Sequence, residues 1–257
     1  GSISLVPLII YFKNKKTEEQ PEKTAAASAL VPGIIAGSVL FFGASLQQAG
    51  LAYTTAGKAA FITGLYIVLV PLLGIFLKQR IGLNTWLGVV LAVSGLYFLS
   101  VNEDFTIAFG DLLEIIGAFF WAIHILVIDH FTKKVDALKL SCVQFAMCSV
   151  LSIIIALIFE DIAISGIGQA AIPILYGGLL SVGVAYTLQV VAQKHAKPSH
   201  AAIILSMESV FAALGGALLL GENLGGRGYL GCALMFAGML LTQVNIFEKK
   251  ESAEYKA

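Results

Sequence analysis

Charged residues are scarce in this chain. They make up 12% of its 257 residues, whereas 58% are hydrophobic and the mean hydropathy is +0.89. Soluble domains carry about 25% charged and about 45–50% apolar residues. A soluble core does not require so complete a loss of charge, so the composition excludes an ordinary soluble protein and indicates a polytopic membrane protein. The formal net charge of zero identifies no partner, and nucleic acid is not expected.

The sequence also lacks the motifs of nucleotide hydrolysis, metal binding and covalent catalysis. Without a Walker A motif, ATP hydrolysis by this chain is excluded. The four histidines form neither an HExxH motif nor a Ser-His-Asp spacing. Cys142, Cys148 and Cys232 lie in apolar runs without metal-ligand spacing and are interpreted as packing residues. We therefore expect no enzyme, no cofactor and no metal site.

Long apolar runs make up most of the chain. A spanning helix needs about 20 mostly apolar residues. The opening GSISLVPLIIYF is too short to cross, because Lys13 ends it, and it lacks the start of a signal peptide. We expect a chain that begins inside a helix, with one helix and part of another missing. The predicted full spans are 30–54, 59–77, 83–101, 107–128, 140–159, 169–193, 200–220 and 228–247.

The distribution of Lys and Arg predicts an orientation for these spans. Cytoplasmic loops of membrane proteins are enriched in basic residues. If the loop at 13–23 is cytoplasmic, only Lys58 and Arg227 of the 16 basic residues fall in outer loops. The outer loops would also hold Glu103, Asp104, Glu160 and Asp161. This asymmetry supports the list of spans and predicts a cytoplasmic C-terminus.

Two segments of the chain resemble each other. They are LKQRIGLNTWLGVVLAVSGL (77–96) and LGENLGGRGYLGCALMFAGM (220–239), and an offset of 143 aligns their leucines and glycines. At an offset of 142, Gln47 falls on Gln189 and Tyr66 on Glu208. Agreement of hydropathy, loop positions and glycines indicates an internal repeat.

The repeat unit contains five helices, an odd number, so the second copy is predicted to be inverted in the membrane. Inverted repeats are typical of secondary transporters, whose binding site lies near the midplane between the halves. The predicted fold is an all-α polytopic membrane protein of two inverted five-helix repeats, with ten helices when intact and about nine here. The predicted domains are 1–105, lacking its first helix, 106–247, and a cytoplasmic tail, 248–257.

The second half opens with GDLLEIIGAFFWAIHIL (110–126), continues to Glu208 and the small residues after it, and reads LGE (220–222) before YLGCALMFAG. In the order and spacing of these elements, nearly the whole chain resembles the EamA-domain branch of the drug/metabolite transporter superfamily. The resemblance implies ten helices in two halves and movement of small metabolites, commonly amino acids or related compounds, across the cytoplasmic membrane. Many members are described as exporters.

Two positions depart from the pattern of that family. Ser209 stands where proline often follows the glutamate, which predicts a helix without a kink. In the first half, 77–79 reads Leu-Lys-Gln instead of LGE, which argues against a paired role for two carboxylates.

Ionisable residues inside a span normally face a cavity or a partner, because burying one costs about 2.5–3.5 kcal/mol. Glu208 lies roughly 12 Å from His200 along its helix. It is either a structural carboxylate or a functional one, which would anchor a substrate amine or carry a proton. On the helix at 107–128, Glu114, Trp121 and His124 share one face, which is a poor lipid surface and a good cavity wall. The alternative for Trp121 is packing or an interfacial aromatic belt, and for His124 it is a hydrogen-bonded contact between helices. Glu114 alternatively lies in an outer vestibule.

We hypothesise a central cavity lined by polar and aromatic groups from both halves, although each group alone is more often a contact between helices. Tyr186, Gln189 and Gln193 are spaced to share a helix face. The candidate substrate-binding residues are Glu208, Gln47, Gln189, Tyr66, Tyr186, Trp121, His124, Glu114 and Gln193.

The leading functional hypothesis is a secondary-active or facilitative transporter, an exporter of small metabolites that works by alternating access. A channel-like permeation subunit and a membrane-embedded enzyme are the alternatives. The enzyme is disfavoured because Glu114 and His124 lie about 15 Å apart along their helix. The expected partners are a small metabolite and the bilayer of the cell membrane. Proton coupling through Glu208 or His124 is a further hypothesis, and the oligomeric state, including a homodimer, stays open.

Overall fold

The computed structural model describes residues 1–19, 28–100, 108–160, 168–219 and 225–243. Within these ranges the regular structure is helical throughout and contains no strand. The helices are α1 (Ser2–Glu19), α2 (Leu30–Leu51), α3 (Ala56–Gly64), α4 (Tyr66–Phe76), α5 (Leu83–Ser100), α6 (Phe109–Thr132), α7 (Ala137–Phe159), α8 (Ala171–Tyr176), a π-helical segment (Gly177–Tyr186), α9 (Thr187–Gln193), α10 (Pro198–Leu205), α11 (Met207–Leu219) and α12 (Gly225–Gln243).

Seven helical segments in the described part of the chain are long and apolar enough to cross a membrane. A chain with several such segments is an all-α polytopic membrane protein, as the composition predicts. Seven of the eight predicted spans correspond to them. The segments are Leu30–Leu51, Lys58–Phe76, Leu83–Ser100, Phe109–Thr132, Ala137–Phe159, Ala171–Gln193 and Pro198–Leu219.

The eighth predicted span, 228–247, corresponds to α12, which is helical but is not among these seven. Its first turn contains Arg227 and several glycines, which lower its hydropathy, and residues 244–247 lie outside the described ranges. The apolar start of the chain, Ser2–Tyr11, is helical and shorter than a span. The predicted tail, 248–257, also lies outside the described residues, as do Glu103, Asp104 and Asp161 of the predicted outer loops.

The described helices form two compact units. The first unit comprises Gly1–Phe42 and Val127–Ala196. Its apolar core includes Ile128 of α6, Leu140 of α7 and Val190 of α9, and all three are fully buried. Because lipid is as apolar as these side chains, van der Waals packing between the helices stabilises such a core in a membrane.

The second unit comprises Gly43–Leu126 and Lys197–Ala257. It contains two apolar clusters. The larger one combines residues of α3, α4, α5, α10, α11 and α12, namely Phe61, Ile62, Ile67, Val89, Ala92, Leu96, Ile203, Met207, Val210, Cys232 and Met235. The smaller one packs Val70 of α4 and Ala202 of α10 against the part of α6 that ends at Leu126.

Glycines bring α5 and α12 into backbone contact within the second unit. A Cβ added to Gly95 would lie 2.5 Å from the carbonyl oxygen of Gly231, and one added to Gly88 would lie 2.8 Å from that of Gly238. The reciprocal distances, from Gly231 to Gly95 and from Gly238 to Gly88, are 2.6 and 2.7 Å. Only residues without a Cβ allow two helices to approach this closely.

This crossing joins positions that the internal repeat relates. An offset of 143 places Gly88 on Gly231 and Gly95 on Gly238. The contact pairs are Gly88 with Gly238 and Gly95 with Gly231, so exchanging the two helices reproduces the same pairs. A self-complementary contact of this kind is expected at a two-fold axis. It supports the inverted-repeat interpretation, which stays a prediction.

Candidate functional site

Two membrane spans of the second unit are interrupted near their middle. The span Lys58–Phe76 consists of α3 and α4, which are separated at Leu65. The span Pro198–Leu219 consists of α10 and α11, which are separated at Ser206. The sequence predicted no kink after Glu208, where Ser209 replaces proline; the helix is interrupted three residues before Ser209, at Ser206.

Tighter hydrogen bonding marks both interruptions. The Leu65 amide donates to the Ile62 carbonyl at 3.1 Å, a spacing of three residues instead of four. At the second interruption, the Ser209 amide donates to the Ser206 carbonyl at 3.1 Å, and the Ser206 hydroxyl donates to the Ile203 carbonyl at 2.7 Å. Bonds of this type replace the α-helical bonds that an interruption removes, and short 3₁₀ stretches inside helices often mark hinges.

Tyr66 and Glu208 follow the two interruptions. Tyr66 is half-buried and packs against both apolar clusters of the second unit. Glu208 lies in the first turn of α11 and its residue is exposed. An exposed carboxylate in the middle of a span is costly against lipid, and the positive end of a helix dipole favours it. Its environment in the membrane therefore has to be water, a ligand or another protein group.

Three of the predicted cavity residues lie together in the second unit. The indole Nε1 of Trp121 donates to the Oε1 of Gln47 at 3.2 Å. The rings of Trp121 and His124 meet edge to face, with centroids 6.1 Å apart. Gly43 of α2 faces the indole, and a Cβ added there would lie in ordinary van der Waals contact with the ring, at 3.5 Å. His124 is fully buried, so it contacts protein in this structure.

Glu114 is also fully buried, with 0% of its surface exposed. Its Oε2 accepts a hydrogen bond from the Thr63 hydroxyl of α3 at 2.6 Å. Its Oε1 packs on Gly50 of α2, where an added Cβ would lie only 2.7 Å away. Among the described residues, no hydrogen-bond donor reaches Oε1. Half of this carboxyl group is therefore unsatisfied inside the protein.

A second carboxyl group lies one turn earlier on α6. Asp111 accepts hydrogen bonds from the Thr54 hydroxyl and from the Ala108 amide, the latter at 2.8 Å. Lys58 of α3 forms an ion pair with it, with 3.5 Å between Nζ and Oδ2. A shallow surface pocket of about 390 Å³ is formed in part by residues that contact Asp111; it is lined by Ala52, Tyr53, Thr54, Thr55, Lys58 and Ala108.

We call this set of residues, Thr54, Lys58, Thr63, Asp111 and Glu114 with Gly50, the carboxyl cluster. The sequence analysis found Glu114 and missed the others as parts of a site. Two threonines and a lysine carry no motif. The one available signal was Thr63, a hydroxyl within an otherwise apolar span.

The remaining predicted residues lie in the first unit. Tyr186 ends the π-helical segment, and its ring meets Phe145 of α7 edge to face with centroids 6.5 Å apart. Gln189 is half-buried. Gln193 is 2% exposed, and neither polar atom of its amide has a hydrogen-bond partner among the described residues. A role for these three residues in one cavity with the others stays a prediction.

Interrupted apolar spans and buried ionisable groups are typical of membrane transporters. The sequence profile of the EamA-like transporter family matches residues 1–101 and 108–244. The chain therefore belongs to the EamA-like transporter family. Within the described ranges, no group of three or more His, Cys, Asp or Glu side chains is arranged to hold a metal ion.

Relatives agree with this assignment. The chain is 32% identical over 215 residues to an uncharacterized transporter of Archaeoglobus fulgidus, covering 83% of this chain and 69% of that protein. It is 24% identical over 258 residues to the uncharacterized transporter YoaV of Bacillus subtilis, covering 96% and 86%. A solved crystal structure shares the fold with a TM-score of 0.75 at 18% identity, covering 94% of this chain and 83% of the other.

Proposed function

We propose that this protein is a secondary-active or facilitative carrier that exports small metabolites such as amino acids across the cell membrane. It works by alternating access between two inverted repeats, residues 1–105 and 106–247, and its C-terminus is cytoplasmic. Membership of a transporter family supports the class of activity. The substrate, the direction of transport and the mechanism belong to the proposal.

The matching interruptions of two membrane spans are the observation that carries this proposal. Leu65 and Ser206 interrupt spans that the internal repeat relates, each near the middle of its span. Discontinuous helices at the midplane are the usual site of substrate recognition in carriers with inverted repeats. They also provide the hinges that alternating access needs, because the two parts of such a helix are able to reorient separately.

The groups beside the interruptions suggest the kind of substrate. Glu208 is exposed and provides a negative charge for a substrate ammonium group. Gln47 and Trp121, which hydrogen-bond each other, offer an amide and an aromatic face. In the proposal, Tyr66 and His124 belong to the same site, and Tyr186, Gln189 and Gln193 are candidate substrate contacts of the first unit. A small molecule with an amine and an apolar part fits this chemistry.

Counterflow in proteoliposomes tests the proposal. The purified protein is reconstituted, loaded with one unlabelled amino acid at a time and exposed to the same compound in labelled form. A carrier gives saturable exchange with a transient accumulation of label. We expect Glu208→Gln to abolish exchange of cationic and zwitterionic substrates, because it removes the proposed counter-charge.

The matched control is Glu160→Gln, which changes an exposed carboxylate at the end of α7. This variant should exchange like the parent protein. Loss of exchange in Glu208→Gln without loss of folding supports a binding role for Glu208. Exchange equal to that of the parent makes Glu208 structural, and non-saturable flux without counterflow contradicts a carrier and favours a channel.

A further inference from the structure

The carboxyl cluster contains two acidic groups and one basic group. Asp111 is paired with Lys58 at 3.5 Å, and Glu114 lies one turn further along α6. The elements packed around Glu114 supply no other counter-charge, because α2 carries no ionisable side chain and α3 carries only Lys58. The remaining ionisable residues of α6, which begin with His124, lie at least about 15 Å further along the helix.

The surroundings of Glu114 favour a neutral carboxyl group. One oxygen accepts a single hydrogen bond from Thr63, and the other rests against Gly50 with no donor among the described residues. An ionised carboxylate that is fully buried and so poorly solvated is costly, and a bound proton removes that cost. One proton on Glu114 also makes the net charge of the cluster zero, because Lys58 and Asp111 form one charged pair and Glu114 is then neutral.

We propose that Glu114 is a proton-binding residue that couples substrate movement to a proton gradient. The inference rests on the proposed transport function and assigns the coupling role to Glu114 instead of Glu208 or His124. In the proposal, the buried Glu114 carboxyl group carries the proton. When α3 moves relative to α6, water from the shallow pocket reaches the group, its O–H bond breaks, and the proton passes to that water.

The carboxylate formed in this step needs a counter-charge, and Lys58 or the ammonium group of a substrate supplies it. Reprotonation re-forms the O–H bond and returns the cluster to its closed arrangement. The pocket provides the path for water, because Thr54 and Lys58 contribute to its wall and both contact Asp111. Glu208 is exposed in the same structure, whereas Glu114 is buried.

Infrared spectroscopy tests protonation without any transport assay. The parent protein in lipid should show the carbonyl stretch of a protonated carboxyl group at neutral pH. Glu114→Gln should remove that band, and Thr63→Val should shift its frequency because the hydrogen bond to the group is lost. Glu160→Gln should leave the band unchanged. No such band in the parent protein, or the same band in Glu114→Gln, overturns the inference.

Transport in proteoliposomes tests the coupling. We expect Glu160→Gln to keep accumulation driven by a pH gradient and Glu114→Gln to lose it. If the variant still accumulates substrate in response to the gradient, Glu114 is not the coupling residue. Absence of counterflow in the parent protein would instead contradict the proposed function, and the infrared band would still decide whether Glu114 holds a proton. Should Glu114→Gln fail to fold, a frequency shift in Thr63→Val supports the assignment and its absence contradicts it.

Discussion

The crossing of α5 and α12 and the carboxyl cluster hold the same unit together in opposite ways. At the crossing, four glycines place backbone against backbone, and no charged side chain takes part in that contact. In the carboxyl cluster, α2, α3 and α6 meet through hydroxyl, ammonium and carboxyl groups. Closely packed backbones fit together in only one arrangement. Groups that form hydrogen bonds and ion pairs are able to exchange their protein partners for water or a ligand. The crossing is thus suited to a fixed element and the cluster to a movable one.

The largest effect should come from adding methyl groups at the crossing. Gly95→Ala and Gly231→Ala each force a Cβ against a backbone carbonyl oxygen, 2.5 and 2.6 Å away before any adjustment. Overpacking of this kind typically costs about 1–3 kcal/mol per site. Because the two residues contact each other, their effects should not be additive, and the double variant should be the least stable. Unfolding of the detergent-solubilised protein measures the loss.

Gly215→Ala provides the control for this comparison. Gly215 lies inside α11, and nothing would come within 4 Å of an added Cβ. Since alanine is favoured over glycine in helices by about 0.8–1.0 kcal/mol, this variant should be as stable as the parent or slightly more stable. Equal tolerance at Gly95, Gly231 and Gly215 would show that the crossing is not tightly packed.

The second-largest effect on stability should come from breaking the ion pair between Lys58 and Asp111 in the carboxyl cluster. The side chains of Lys58 and Asp111 are 12% and 5% exposed, so removing one leaves the other with little water. An unpaired buried polar group costs about 1–3 kcal/mol. We expect Lys58→Met and Asp111→Asn each to destabilise the protein within that range.

The double variant, Lys58→Met with Asp111→Asn, should be more stable than the sum of the single effects, because neither charge is left alone. A double-mutant cycle on unfolding free energies measures the difference. Purely additive effects would show that Lys58 and Asp111 do not stabilise each other, and the cluster would then lack the charge balance described above.

The sequence revealed the repeated glycines that form the crossing, but it predicted neither the crossing itself nor the cluster. The glycines of α5 and α12 repeat at a fixed offset of 143, and close helix approach is a direct consequence of lacking a Cβ. The membrane spans were predictable from the sequence because the length and hydropathy of a segment determine whether it is able to span the membrane. The cluster depends on which helices become neighbours, and a single threonine such as Thr63 does not reveal its partner. The break at Ser206 was missed because a serine hydroxyl, and not a proline, accompanies it.

The smallest effect on stability should come from changing Arg227, at the edge of the contact between α5 and α12. The guanidinium carbon of Arg227, in the first turn of α12, lies 5.5 Å from the ring centroid of Tyr97 and 5.8 Å from that of Phe98. Cation–π contacts at exposed sites contribute about 0.5–1 kcal/mol. Arg227→Met should lower the unfolding free energy by that amount, and Arg227→Lys by less, because lysine keeps the charge.

A cycle that combines Arg227→Met with Tyr97→Leu separates the ring contact from the general effect of losing a charge. A coupling energy of about 0.5 kcal/mol or more would mean that the rings of α5 hold the first turn of α12. A coupling energy of zero would leave the glycine contacts as the attachment of α12 to α5. In that case the crossing depends on packing alone, and its contrast with the carboxyl cluster becomes sharper.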